Sequence, residues 1–383
     1  MSGTWWKEPS ELIQEQIDIL DIDPEVSVLI KGPPGSGKTN LLLLRANYLF
    51  LADIPDLSIS VFGSVLRDFI KTGAGIYKFP PEKVVTHARL FSECIEQSGG
   101  ALDVSGLGFK EAREVRRVAL AGLIQSGKVG QHLQAIFLDE AQDYLPEEIE
   151  IAASLAPVLV AACDSRQKIF DGKDCIDVLE KKVEVCKELK YHFRNGRSIC
   201  RAADEIMKDQ SGYSPMTGGS QYNEEEYPSD VTINNGLGIE AQAAAIAERV
   251  SKQLDAYPGD KIGIIVPKVS DLDELFGILL GTSISSSLTR CGSSDFQPSR
   301  SVWLSTMAGA KGLEFRAVHM AGLDCMSKMG PNQRRLAFTS ITRAKTVLSL
   351  YYEKNIPGYL ERVVRLFMPQ KNAVTKNMIF GMD

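Results

Sequence analysis

Gly32-Pro33-Pro34-Gly35-Ser36-Gly37-Lys38-Thr39 follows the pattern GxxxxGK[ST]. An apolar run, Val26–Lys31, leads into it, and a leucine-rich stretch suited to a helix follows. In that setting the glycines let backbone N–H groups close around phosphate oxygens, and the positive end of the helix adds to the attraction. Lys38 is placed to reach the β- and γ-phosphates of a nucleotide, and the Thr39 hydroxyl to ligate Mg²⁺. A second chemical stretch is Ala135–Leu145, AIFLDEAQDYL. There an apolar strand runs into two carboxylates. Asp139 can hold Mg²⁺ through water, and Glu140 can orient and deprotonate an attacking water. This acidic pair points to a hydrolase, because a small-molecule kinase must keep water out. Read from the residues, the cofactors are a nucleoside triphosphate and Mg²⁺.

Elements must position these groups. Residues 26–31, 57–62, 135–139 and 158–162 are short apolar runs rich in β-branched residues. Helical stretches at 38–51, 64–71, 109–125 and 145–155 separate them. Alternation of this kind predicts a parallel sheet covered by helices. The pattern then restarts, with strands expected at 183–190, 231–234, 261–266, 301–305, 317–322 and 346–352. Helices are expected between them at 196–208, 239–256, 270–280 and 331–345. The reading is two α/β domains, 1–180 and 181–383, which agrees with the about two to three domains expected of 383 residues. Residues 211–238 have loop chemistry, and the run Glu224–Glu226 reads as a solvated turn.

Hydrophobic residues make up 44% and charged residues 24%, which excludes global disorder. No apolar run reaches bilayer length and no leader pattern is visible, so no membrane is expected and a cytoplasmic location is. The seven Cys form no CxxC pair and read as reduced thiols, and the four His show no ligand spacing. The net charge of −6 argues against a surface that binds nucleic acid everywhere, so such a contact needs a local groove.

Asp139–Asp143, DEAQD, resembles motif II of superfamily 1 helicases of the UvrD-like group. ACDSRQKIF, 162–170, resembles their motif III through Asp164, Gln167, Ile169 and Phe170. LKYHFRNGRSI, 189–199, resembles the element that supplies an aromatic and an arginine, here Phe193 and Arg194. STMAGAKGLEF, 305–315, resembles motif V, and RRLAFTSITRAK, 334–345, resembles motif VI with Arg343. Gln16 lies 16 residues ahead of Gly32, where the family carries its adenine-reading glutamine. The resemblance spans roughly residues 12–365. It implies two tandem RecA-like P-loop domains with parallel central sheets flanked by helices.

The resemblance also assigns roles. Gln16 would read adenine, which makes the nucleotide ATP, and Phe193 would stack on it, with Glu314 on the ribose. Gln167 would couple the γ-phosphate to the nucleic-acid track, and Lys311 and Gly312 would support motif V. Arg194 and Arg343, from the second domain, would meet the γ-phosphate bound by the first and draw the cleft shut. Phe62, Ser64 and Arg67 occupy the motif Ia position, Thr86 and His87 the following element, and Trp303 and Thr306 flank motif V. These seven are the candidate contacts to single-stranded nucleic acid, DNA rather than RNA. Trp5 and Trp6 read as packing residues.

The chain departs from the family pattern at three places. Asp171-Gly172-Lys173-Asp174 replaces an aromatic-Arg-Gly platform, and Ala308 stands at the histidine position of motif V. The intervals 91–134 and 267–302 are too short for the usual accessory domains. The expectation is a two-domain ATP-dependent motor, an ATP hydrolase, whose strand separation needs a wedge from a protein partner. The alternative is a helicase-like ATPase that acts as a regulatory switch for a partner nuclease or effector without processive unwinding.

Overall fold

The computed structural model describes residues 9–72, 77–167, 174–328 and 332–368. The chain begins with α1 (Gln14–Leu20), β1 (Val28–Lys31), α2 (Lys38–Leu51), β2 (Leu57–Val61) and α3 (Ser64–Thr72). It continues through β3 (Val84–Thr86), α4 (His87–Gln97), α5 (Phe109–Gln125), β4 (Ala135–Leu138), α6 (Pro146–Leu155) and β5 (Val158–Cys163). The first half closes with α7 (Ile176–Lys182) and β6 (Val185–Glu188). These strands form a six-stranded sheet ordered β3-β2-β4-β5-β1-β6, with every neighbour parallel.

Period-two burial explains why the sheet lies between helices. Val28 and Ile30 pack on one face with Leu41 and Leu42 of α2, while Leu29 packs on the other with Ile149 and Ala152 of α6. Each side is apolar along the strand, so both sides have to be covered.

The second half contains α8 (Arg197–Met207), β7 (Asp230–Asn235), α9 (Ile239–Ala256), β8 (Ile262–Val266), α10 (Val269–Leu279) and β9 (Leu288–Arg290). After these come β10 (Val302–Thr306), β11 (Phe315–Met320), α11 (Gln333–Ile341), β12 (Ala344–Tyr352) and α12 (Gly358–Phe367). They build a second six-stranded parallel sheet, ordered β7-β12-β11-β8-β10-β9. The architecture is α/β, with two RecA-like sheets in tandem.

Two expectations change. The strand expected at 183–190 to open the second half instead pairs with β1 as β6, register Val28 to Val185, and closes the edge of the first sheet. Val185 is half-buried and Cys186, Lys187 and Glu188 are exposed, as an edge strand allows, so the sequence lacked the apolar run that marks sheet membership. The helix expected over 331–345 stops at Ile341, and Ala344 and Lys345 already belong to β12. No accessory domain interrupts residues 98–134 or 267–301, which hold α5 and then α10, a single 3-10 turn and β9. No described helix is long and apolar enough to cross a membrane.

Candidate nucleotide cleft and adjoining groove

The loop between β1 and α2 is shaped by two left-handed glycines, Gly35 at φ 74° and Gly37 at φ 88°. Gly35 also has no room for a side chain, since a Cβ there would lie 2.5 Å from the Cβ of Arg194. The second domain therefore sits directly on the loop, and the Phe193 amide donates to the Gly35 carbonyl at 3.0 Å. The Lys38 ammonium donates to the carbonyls of Gly32 at 3.0 Å and Pro33 at 2.8 Å. Burial pushes its pKa down, against the pull of Asp164 and Glu140.

Asp139 closes β4 opposite the start of α2. The Thr39 hydroxyl lies 3.2 Å and 3.1 Å from its two carboxylate oxygens. Burial raises the Asp139 pKa, and the neighbouring Glu140 raises it further. A hydroxyl and a carboxylate at one point fit Mg²⁺, which takes few protein ligands and completes its shell with phosphates and water. Glu140 adopts left-handed backbone at φ 50°, uncommon for a non-glycine residue. Gln142 donates to Glu140 at 2.5 Å and accepts from the Asp164 amide at 2.9 Å, tying the ends of β4 and β5 together. Burial alone would push the Glu140 carboxyl up, but Lys311, Arg343 and Lys38 outweigh it and hold it below the usual carboxylate range.

The opposite wall carries two guanidiniums. Arg343 is 2% exposed, and its Nε and Nη1 donate to the carbonyls of Thr339 at 2.9 Å and Leu313 at 3.1 Å. Its Nη2 crosses the domain boundary and donates to the Gln167 side chain. Burial and the nearby Arg194 lower its pKa to about 10, so it remains cationic at neutral pH. Arg194 Nε donates to Glu314 at 2.6 Å, and Lys345 pairs with the other oxygen of that carboxylate at 2.7 Å. Lys345 and Arg194 outweigh burial and hold Glu314 at about 2.

Gln16, Gly35, Gly37, Lys38, Thr39, Asp139, Glu140, Gln167, Phe193, Arg194, Glu314 and Arg343 line a single cleft of about 300 Å³. Gln16 is buried against the loop and donates to the Ser36 carbonyl at 3.0 Å. Gly32, Pro33, Pro34 and Ser36 complete the turn, with the Ser36 hydroxyl donating to the Pro33 carbonyl at 2.9 Å. Sequence reasoning missed Lys345, Tyr222 and Arg316, which also line the cleft. Lys345 ends the 334–345 motif and Arg316 directly follows the 305–315 motif, so their place in the chain did signal them, whereas Tyr222 is a neighbour of the motifs only in space.

A second groove of about 380 Å³ runs between the domains, and Glu140 faces both it and the cleft. Phe62, Ser64 and Thr306 line it. The other expected strand contacts differ. Trp303 is 1% exposed, with its ring against Phe69, Phe296 and Phe315 and its Nε1 donating to the Arg300 carbonyl at 2.7 Å. It is a core residue that no strand can reach. His87 is likewise buried, stacked on Phe62 at 5.4 Å and 3.2 Å from the Glu148 carboxylate. The Thr86 hydroxyl caps α4 by accepting from the Arg89 amide at 3.2 Å. Arg67 pairs with Asp68 at 2.7 Å. Lys311 joins the domains, donating to Asp143 and, at 2.8 Å, to the Gln167 carbonyl. Ile169, Phe170, Asp171, Gly172 and Lys173, like Trp5 and Trp6, lie outside the described residues.

Residues 301–351, from β10 through most of β12, match the model of the UvrD-like helicase C-terminal domain. They hold the last two of the helicase-like motifs, and the match supports the resemblance to superfamily 1 helicases of the UvrD-like group. The chain is similar at 20% identity to the C-terminal domain of a possible DNA helicase from Lactobacillus plantarum WCFS1, with a TM-score of 0.34 over 45% of this chain and 93% of that one. It is similar at 16% identity to the PRRSV helicase, with a TM-score of 0.41, over 88% of this chain and 54% of that one. A search of curated proteins finds no match.

Proposed function

We propose that the chain is a nucleic-acid-dependent ATPase of the superfamily 1 helicase class, hydrolysing ATP between its two domains while engaging single-stranded nucleic acid, DNA rather than RNA. One observation carries the reading. The Arg343 guanidinium enters from the second domain, buried, and meets Gln167 in the cleft that Lys38, Asp139 and Glu140 line from the first.

Lys38 exchanges its loop carbonyls for phosphate oxygens, and Gln16 and Phe193 face the base. Thr39 and Asp139 would hold Mg²⁺, which neutralises charge on the phosphates when bound. Glu140 accepts a proton from water as the water oxygen bonds to the γ-phosphorus and the bond to ADP breaks. Arg194 and Arg343 stabilise the charge that develops on the transferring oxygens. Glu314 orients Arg194, and its place in the cleft allows the ribose contact its motif implies. Because the arginines and the lysine lie on different domains, loss of the γ-phosphate weakens closure, and the groove changes shape with it.

Steady-state ATPase with and without single-stranded DNA or RNA tests this, with Lys38→Ala as the inactive control. Strong stimulation by DNA is expected. A rate indifferent to either strand, rising only beside a partner protein, would replace the motor with the switch reading. That reading draws on the lack of any inserted domain in residues 98–134 and 267–301.

A further inference from the structure

Arg194 and Glu314 meet by a single hydrogen bond, Nε to Oε2 at 2.6 Å, where an arginine and an unshared carboxylate favour a two-point fork. The other oxygen accounts for the difference. The Lys345 ammonium lies 2.7 Å from Glu314 Oε1, so the carboxylate sits between two cations with one oxygen for each. The topology brings the three together. Glu314 stands just before β11, Lys345 is the second residue of β12, and these strands pair with Phe315 opposite Ala344. The stretch that carries Arg194 is fastened to the same place. The Asn195 side chain donates to the carbonyls of Thr342 at 3.0 Å and Ala344 at 2.6 Å, and the Gly196 amide donates to the Lys345 carbonyl at 2.9 Å. With that backbone held, the setting left open is the plane of the Arg194 guanidinium.

We propose that Lys345 is a positioning residue for Arg194: by holding Oε1 of Glu314 it limits that carboxylate to a one-point grip at Nε, which leaves the Nη edge of the guanidinium for the γ-phosphate. The inference rests on the ATPase reading above and concerns a residue to which that reading gives no task. Without the lysine, Glu314 would have two oxygens for one arginine. It would then draw Nε and one Nη into a fork and take from the phosphate a donor that the reaction needs. The competing role for Lys345 is a direct phosphate contact. Its partner speaks against that, because the Glu314 side chain is only 7% exposed, and an ammonium that leaves it breaks a buried ion pair.

The test is steady-state ATP hydrolysis by the full chain with saturating oligothymidylate, comparing wild type with K345M, K345R, E314Q and the double variant K345M/E314Q. Lys345→Met is expected to lower kcat by about 10²-fold, the ordinary cost of a misplacement of about 1 Å. Affinity for a fluorescent ATP analogue should change only a few-fold. Lys345→Arg keeps a cation on Oε1 and should bring kcat to within about ten-fold of wild type. Glu314→Gln has its own cost, but its amide has one acceptor oxygen and cannot fork the arginine. Adding Lys345→Met to it should therefore cost little more. Unchanged thermal melting shows that each variant is folded. If wild type hydrolyses no ATP with or without strand, the ATPase reading fails and the inference falls with it. If wild type hydrolyses ATP and Lys345→Met keeps its kcat, the positioning role is overturned while that reading stands. An equal loss from Lys345→Met in the wild-type and Glu314→Gln backgrounds would also overturn it, since the lysine would then act on something other than the carboxylate. A matching loss of analogue affinity would overturn it too, by placing Lys345 on the phosphates.

Discussion

In the proposed reaction Arg343 is the residue on which the chemistry turns, because three hydrogen bonds aim its guanidinium before any nucleotide arrives. Preorganised charge of this kind acts on the transition state more than on the bound substrate. Arg343→Ala is therefore expected to cut kcat by about 10³-fold or more, with affinity for a fluorescent ATP analogue changed only a few-fold. A matching loss of affinity and turnover would mean that the arginine merely binds. Arg343→Lys keeps a charge but cannot fork between Gln167 and Leu313, and it should remain as slow. Residues of this sort were legible in the sequence, because Lys38, Thr39, Asp139, Glu140 and Arg343 each stand beside residues whose spacing requires them. His87 and Trp303 were misread for the opposite reason. An aromatic side chain next to a motif has the same letter whether it faces the groove or the core, and only packing decides.

At the scale of elements, the first domain is pinned by a lock where α4, α5 and α6 meet. Glu148 on α6 is fully buried. It accepts from Arg113 Nε on α5 at 2.7 Å and from the Leu145 amide at 2.8 Å, and His87 Nε2 at the start of α4 lies 3.2 Å from it. Arg113 also donates to the Asp143 carbonyl at 2.8 Å, so the lock sets the position of the acidic loop. Burial would push the Glu148 carboxyl up, but Arg113 and His87 outweigh it and bring it from 4.5 to about 2. A depressed carboxyl stabilises the fold above its unfolded pKa and loses that contribution as pH falls through the folded one. The difference is worth roughly 3 kcal/mol, lost between about pH 4.5 and pH 2. Urea unfolding of wild type and Glu148→Gln from pH 6 to pH 3 should show the wild-type advantage shrinking as pH falls; a constant gap would refute the lock. The helices of this region were readable from their periodicity, with α2 and α5 found at their full extents. The lock was not, since Glu148, Arg113 and His87 are far apart in the chain and each alone looks like a surface charge. The three-residue strands β3 and β9 are too short to display a period at all.

The whole molecule depends on what joins its halves. Lys311 leaves the second domain to reach Asp143 and the Gln167 carbonyl of the first, and its ammonium lies 3.5 Å from Glu140. It is 8% exposed and lines the groove beside Glu140, which faces both the groove and the nucleotide cleft. A buried ion pair contributes little net stability over a neutral pair of the same shape, but removing one member strands the other. Lys311→Met should therefore destabilise the chain by about 3 kcal/mol or more, because Asp143, which is buried, and Glu140 both lose a cationic neighbour. Asp143→Asn on top of Lys311→Met should recover a large part of that loss, as the remaining amide carries no charge. Chemical denaturation of the two single variants and the double variant closes the cycle. Additive losses would mean that the lysine and the carboxylate do not act on each other. Strong coupling would show that the domains are clamped through the Lys311–Asp143 pair, so that whatever draws Lys311 toward the groove also changes the charge around Glu140.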